Sequence, residues 1–172
     1  MNDLTAHIVH QIERDNTARL PEVNVSKDQQ HLLPSNGHAQ FSVLGFRFGE
    51  SAHDVGERAG SMGFRFVGCR QRSADAPDYV DCGLARDNGD SLTVTFLQGS
   101  LQRLDLNFRI ENYDRVLKAI ERDHGNPRIA EDDPLRGTAE WGSATGGFDI
   151  SLGKTSDMKQ GWMEATDLTL SY

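Results

Sequence analysis

No run of apolar residues in this 172-residue chain approaches the roughly 20 that a membrane-spanning helix requires. The opening MNDLTAHIVHQIERDN also lacks the basic start and apolar core of a secretory signal. The expectation is a soluble, cytoplasmic protein, with the periplasm as the alternative where an export signal has been cleaved away. Positive charge is in deficit: 18 Lys and Arg against 26 Asp and Glu leave a net charge of −8 and a pI near 5.1. That balance opposes nonspecific attraction to phosphate backbones, so nucleic acid is not an expected partner and a basic protein surface is. Cysteine is scarce, and the spacing of Cys69 and Cys82 matches no zinc or redox motif. No Walker-type loop occurs, since Gly142-Ser-Ala-Thr-Gly-Gly147 lacks the Lys-Ser/Thr pair and reads as a hairpin loop.

Chemistry-bearing clusters are equally sparse. His7 and His10 fall three apart near Glu13, a spacing that suits a solvated helix face better than a metal site. His53 and Asp54 are adjacent on an expected helix and point about 100° apart, a poor base and orienter. With no nucleophile–base pair and no ligand set, no catalytic residue, metal or cofactor is expected and the chain does not read as an enzyme.

What is present is pattern. The apolar share is 37% and the mean hydropathy −0.57, polar overall but organised, which argues against wholesale disorder. Leu4, Ile8, Val9 and Ile12 predict an amphipathic helix over 2–15, and the polar, proline-bearing stretch 16–40 reads as an extended arm. The run Phe41–Phe48 is either a strand or the packed entry to a helix over 52–62, capped by Ser51 with Asp54 and stopped by Gly63. Strand-like pieces follow at 64–72, 78–85, 91–97 and 101–110. Gln98-Gly99-Ser100 marks a tight hairpin, and a parity break between Leu101 and Leu104 predicts a bulge near Gln102-Arg103. A second helix takes Asn112 as its cap, carries Tyr113, Val116, Leu117 and Ile120 on one face and stops at Gly125-Asn126-Pro127. Three further strands are expected at about 136–143, 147–153 and 163–171, the last with Thr166, Leu168 and Leu170 on one face.

A turn at Ala74-Asp75-Ala76-Pro77 places residues whose numbers sum to 151 opposite each other, and Cys69 and Cys82 meet that condition. A cross-strand disulfide in an oxidising compartment and two buried thiols in a reducing one are both compatible with it. The order from Phe41 onward is helix and about four strands, twice, with a period near 61. Residues 1–40 are then an appendage and 41–172 one α+β domain of two repeats, 41–110 and 111–172. Their antiparallel strands would join into one curved sheet with both helices on one face.

This pattern resembles the β-lactamase inhibitor protein-like architecture of tandem helix plus four-strand units. Three stretches carry the resemblance: Leu44-Gly-Phe-Arg-Phe-Gly-Glu-Ser51 leading into a helix with Val55, the Cys69–Cys82 hairpin, and Thr93–Leu101. Glu50-Ser51 stands where that family carries Met-Thr, and the second unit has no cysteine pair. The resemblance implies protein binding through an exposed sheet face, or an assembly role like that of small envelope lipoproteins.

The functional expectation is a noncatalytic protein-binding module of the bacterial or phage inhibitor, immunity or adaptor kind. Trp141 and Trp162 are its aromatic anchors, and Glu131, Asp132 and Asp133 form an acidic lip that steers a basic partner. The alternatives are a small envelope component and an acidic chaperone for a secreted effector.

Overall fold

The apolar run at 41–48 is neither one strand nor a plain helix entry. Leu44 and Gly45 both take positive φ, 50° and 86°, and fold it into a hairpin of β1 (Ser42–Val43) and β2 (Phe46–Arg47). This is a computed structural model, and it describes residues 41–73, 76–130, 138–142 and 147–170. The expected helix at 2–15 with His7 and His10, the arm at 16–40, the acidic residues Glu131, Asp132 and Asp133, and most of the 142–147 loop lie outside those residues.

After the hairpin come α1 (Ala52–Ser61), β3 (Arg65–Ser73), β4 (Ala76–Ala85), β5 (Ser91–Leu97) and β6 (Ser100–Arg109). Then follow α2 (Tyr113–His124), β7 (Ile129–Ala130), β8 (Ala139–Gly142), β9 (Phe148–Lys154) and β10 (Gln160–Asp167). The protein is α+β. Strands β3 to β10 form one antiparallel sheet in the order β3-β4-β5-β6-β10-β9-β8-β7.

Local chemistry sets the boundaries. Ser51 accepts the Asp54 amide at 3.3 Å and donates its hydroxyl to the Asp54 carboxylate at 2.8 Å, opening α1. Gly63, at φ 83°, closes it. Asn112 does not cap α2 with its side chain. A 3₁₀ turn, Ile110–Asn112, precedes the helix and holds Asn112 in a helical conformation where its side chain makes no capping bond. The two-residue turn Gln98-Gly99, both at positive φ, joins β5 to β6. The register shift falls where Thr95 faces Arg103 and Phe96 faces Leu101, so Gln102 is the extra residue. At the far end, β10 begins at Gln160, earlier than alternation suggested. Its inward residues are Met163 and Ala165, and Leu168 lies beyond the strand in a 3₁₀ turn, 40% exposed.

The core lies on one side of the sheet. Cys82, Val94, Leu104, Ala165, Ile150 and Trp141 make one cross-strand row, all buried. Val55 and Ala59 of α1, Ile120 and Tyr113 of α2, and Val43, Phe46 and Phe48 of the entry segment close over that side. Removing these apolar surfaces from water is the dominant stabilising term, at about 25 cal/mol per Å². Lys154 reaches across to the Tyr113 ring at 4.6 Å, a cation–π contact at the edge of the same layer.

Candidate functional site

Side chains alternate across a strand, so the residues between the buried ones face the other way. Two rows run along that second face. One is Arg70, Asp81, Thr95, Arg103, Thr166 and Asp149, from β3 to β9. The other is Gly68, Gly83, Thr93, Asp105, Glu164, Ser151 and Glu140, from β3 to β8. Among the described residues no helix covers this face.

Its polar groups are organised. Arg103 takes both oxygens of Asp105, with Nε to Oδ2 at 2.9 Å and Nη2 to Oδ1 at 2.8 Å, and Nη2 also lies 2.9 Å from Glu164 Oε2. The hydrogen bonds to Asp105 hold the guanidinium pKa above its ordinary value, with the nearby carboxylates adding to the shift. Asp81 accepts the Thr95 hydroxyl at 2.8 Å and faces Arg72 at 3.7 Å, burying Thr95 beneath the charged layer. Charge is divided along the sheet. Arg70 and Arg72 mark the β3 side, whereas Asp105, Glu164, Asp149 and Glu140 gather on β6, β10, β9 and β8, with Arg103 among them and the Arg128 guanidinium beside Gly142 and Asp149.

Trp162 belongs to this face. It stands opposite Gly153 in the register, and its indole lies flat over that glycine, where an added Cβ would come within 2.5 Å of Cζ2. The strand pair needs glycine there because the ring occupies the space of a side chain. The indole remains half-buried, with polar neighbours on either side, as an accessible aromatic on a polar face.

Trp141 is a different case. It is 3% exposed, faces the helices and donates Nε1 to the Gly125 carbonyl at 2.8 Å, tying the end of α2 to β8. The expectation that it anchors a partner is corrected: a partner on the uncovered face cannot reach it. Alternation did place it beside Ala139, which is buried with it, but could not tell which side of the sheet is covered. Cys69 and Cys82 face each other directly and are joined as a disulfide. His53 Nε2 lies 3.8 Å from Glu57 Oε1, one turn along α1. Among the described residues no group of three or more His, Cys, Asp or Glu is placed to hold a metal ion. The Arg103–Asp105–Glu164 cluster was not foreseen, although the alternation of Leu104, Leu106 and Phe108 already put Arg103 and Asp105 on the opposite face.

No family model matches the chain, and no curated protein or solved structure matches it.

Proposed function

We propose that this protein is a noncatalytic binding module that occludes a basic protein surface with the uncovered face of its sheet, as an inhibitor, immunity or adaptor protein does. One observation carries the proposal: an ordered polar face with the carboxylates of Asp105, Glu164, Asp149 and Glu140 on its β6–β8 side, and an accessible Trp162 one row along the sheet from Glu164 and Asp105. Interfaces are built this way, with a rigid aromatic anchor and a charged surround that sets partner choice and encounter rate. Glu131, Asp132 and Asp133 add negative charge to the chain in the same reading. The strand order, with each helix preceding four strands and β6 pairing with β10, supports reading the chain as two tandem α-β4 units.

The test is capture from native host lysate at low and high salt, with bound proteins identified by mass. The unmodified protein should retain one dominant, salt-sensitive partner. Glu164→Lys with Asp149→Lys, and separately Asp132→Lys with Asp133→Lys, should each weaken that capture about tenfold or more. Full capture by both charge-reversed proteins would sink the proposal.

The disulfide favours a second reading, a small envelope component folded in an oxidising compartment. Protein taken directly from its host should then gain no mass on alkylation without reductant. Two alkylated thiols would remove this reading.

A further inference from the structure

One end of the sheet is a long strand. The edge strand β7 has only two residues, whereas β3, at the other edge, runs from Arg65 to Ser73 and pairs with β4 alone among the described residues. Antiparallel pairs alternate between close ones that exchange no backbone bonds, with Cα atoms about 4.5 Å apart, and wider ones that exchange two. The Cα atoms of Cys69 and Cys82 lie 4.0 Å apart, which makes theirs a pair of the first kind. Gln71 with Val80, two residues along an unbroken register, is the next such pair. The N–H and C=O of Cys69 and Gln71 therefore point away from β4, out of the edge of the sheet. Among the described residues no backbone group outside the β3–β4 ladder bonds to them. An added antiparallel strand fits this spacing, because a residue opposite Cys69 and another opposite Gln71 can each exchange two bonds.

The charge of the edge selects what can pair there. Register shifts at Val67 and beyond Gln71 confine the regular stretch to 68–71. The charged residues of β3 are Arg65, Arg70 and Arg72, all cationic, in a chain of net charge −8. Pairing with β3 of a second copy sets arginine against arginine, so the edge opposes association with itself. An acidic strand meets no such opposition. Arg65 and Arg72 have carboxylates within reach, Asp87 and Asp81. Arg70 is exposed and makes no ion pair among the described residues, since Asp81, its neighbour across the ladder, is engaged by Thr95 and Arg72.

We propose that the edge of β3 takes an extended acidic segment of a partner protein as an added antiparallel strand. The main chain of that segment bonds to Cys69 and Gln71, and a carboxylate opposite Arg70 pairs with its guanidinium on the uncovered face. A second acidic residue falls opposite Gly68, where an added Cβ meets nothing within 4 Å and the space is open. Residues opposite Cys69 and Gln71 point to the covered side, the side of the half-buried Phe66, and are apolar. The segment thus alternates apolar and acidic residues. This edge takes the charge opposite to that bound by the carboxylates of β6, β10, β9 and β8, and does not depend on the proposal made for them.

The probe is a short capped peptide of alternating valine and glutamate, added to the nitrogen-labelled full chain with its disulfide intact. Amide hydrogen exchange is followed residue by residue. In the free protein the Cys69 and Gln71 amides should exchange quickly, and that of Arg70, which bonds to β4, slowly. Saturating peptide should slow Cys69 and Gln71 about tenfold or more and leave Arg70 as it was. A valine–lysine peptide should bind about tenfold more weakly or worse. Methylating the valine nitrogens, which face β3, should abolish the protection, whereas methylating those of glutamate, which face away, should not. Arg70→Glu should reverse the preference in favour of the lysine peptide. Cys69 and Gln71 amides already slow in the free protein, because another part of the chain or a second copy pairs there, overturn the proposal. Absence of protection by the glutamate peptide, or equal protection by the lysine peptide, also overturns it. All three outcomes are read on the unmodified protein, so they decide the matter even if Arg70→Glu does not fold.

Discussion

At the scale of single residues, polar side chains in this protein fix turns as firmly as apolar ones fix the core. Asp157, in the turn between β9 and β10, accepts the Thr155 hydroxyl at 2.6 Å and the Lys159 amide at 3.1 Å. The Thr155 hydrogen bond, followed by that of the Lys159 backbone, lowers its carboxyl pKa below the ordinary 3.8. A carboxylate depressed in the folded state contributes stability above its unfolded pKa, and the contribution is lost as pH falls through the folded value. Asp157→Asn should therefore flatten the stability profile below about pH 4, with the difference from the unmodified protein greatest near neutrality and vanishing in acid. Denaturant midpoints measured from pH 2 to pH 7 check this. A difference that grew toward low pH would contradict the sign.

The elements divide into those whose local signals agreed with their packing and those that needed distant partners. The Cys69–Cys82 hairpin was legible because turn position and parity suffice to fix a register, and the observed pairs Gly68–Gly83, Cys69–Cys82, Arg70–Asp81 and Gln71–Val80 all sum to 151. The Gln102 bulge was legible for the same reason. Closing the hairpin with a disulfide between residues 13 apart restricts the unfolded chain, so Cys69→Ala with Cys82→Ala should cost about 3 kcal/mol. Urea unfolding with and without reductant measures it: reductant should shift the midpoint of the unmodified protein and leave that of the double variant unchanged. Less legible were features decided from outside the segment. The 41–48 run is apolar whichever way it folds, and only the positive φ of Leu44 and Gly45 makes it a hairpin. The start of β10 at Gln160 depends on Gly161 lying beneath the Phe108 ring across the sheet, a contact no local pattern reports. The candidate site was half legible for a related reason. Alternation separated Trp141 from its neighbours, but which face is covered depends on where α1 and α2 pack.

At the scale of the whole molecule, the two four-stranded runs meet along a single seam, β6 against β10. Seven residue pairs cross it, from Gln160–Arg109 to Thr166–Arg103, and its inward side chains Leu104, Met163 and Ala165 are shared by the common core. The halves should therefore unfold together. Met163→Ala, which leaves a cavity at the seam, should cost about 2–5 kcal/mol. Tryptophan fluorescence, which reports β8 and β10, should retain the same midpoint as far-UV circular dichroism, which reports both halves. Separate midpoints would mean that the seam is weaker than the core it joins.

The seam also has a consequence in time. β6 leaves the ribosome about 50 residues before β10, which at roughly 5–20 residues per second leaves its outer edge without a partner strand for roughly 3–10 s in every round of synthesis. During that interval β6 is a nascent edge strand carrying Leu104, Leu106 and Phe108, the kind of surface on which a second nascent chain can pair or a chaperone can settle.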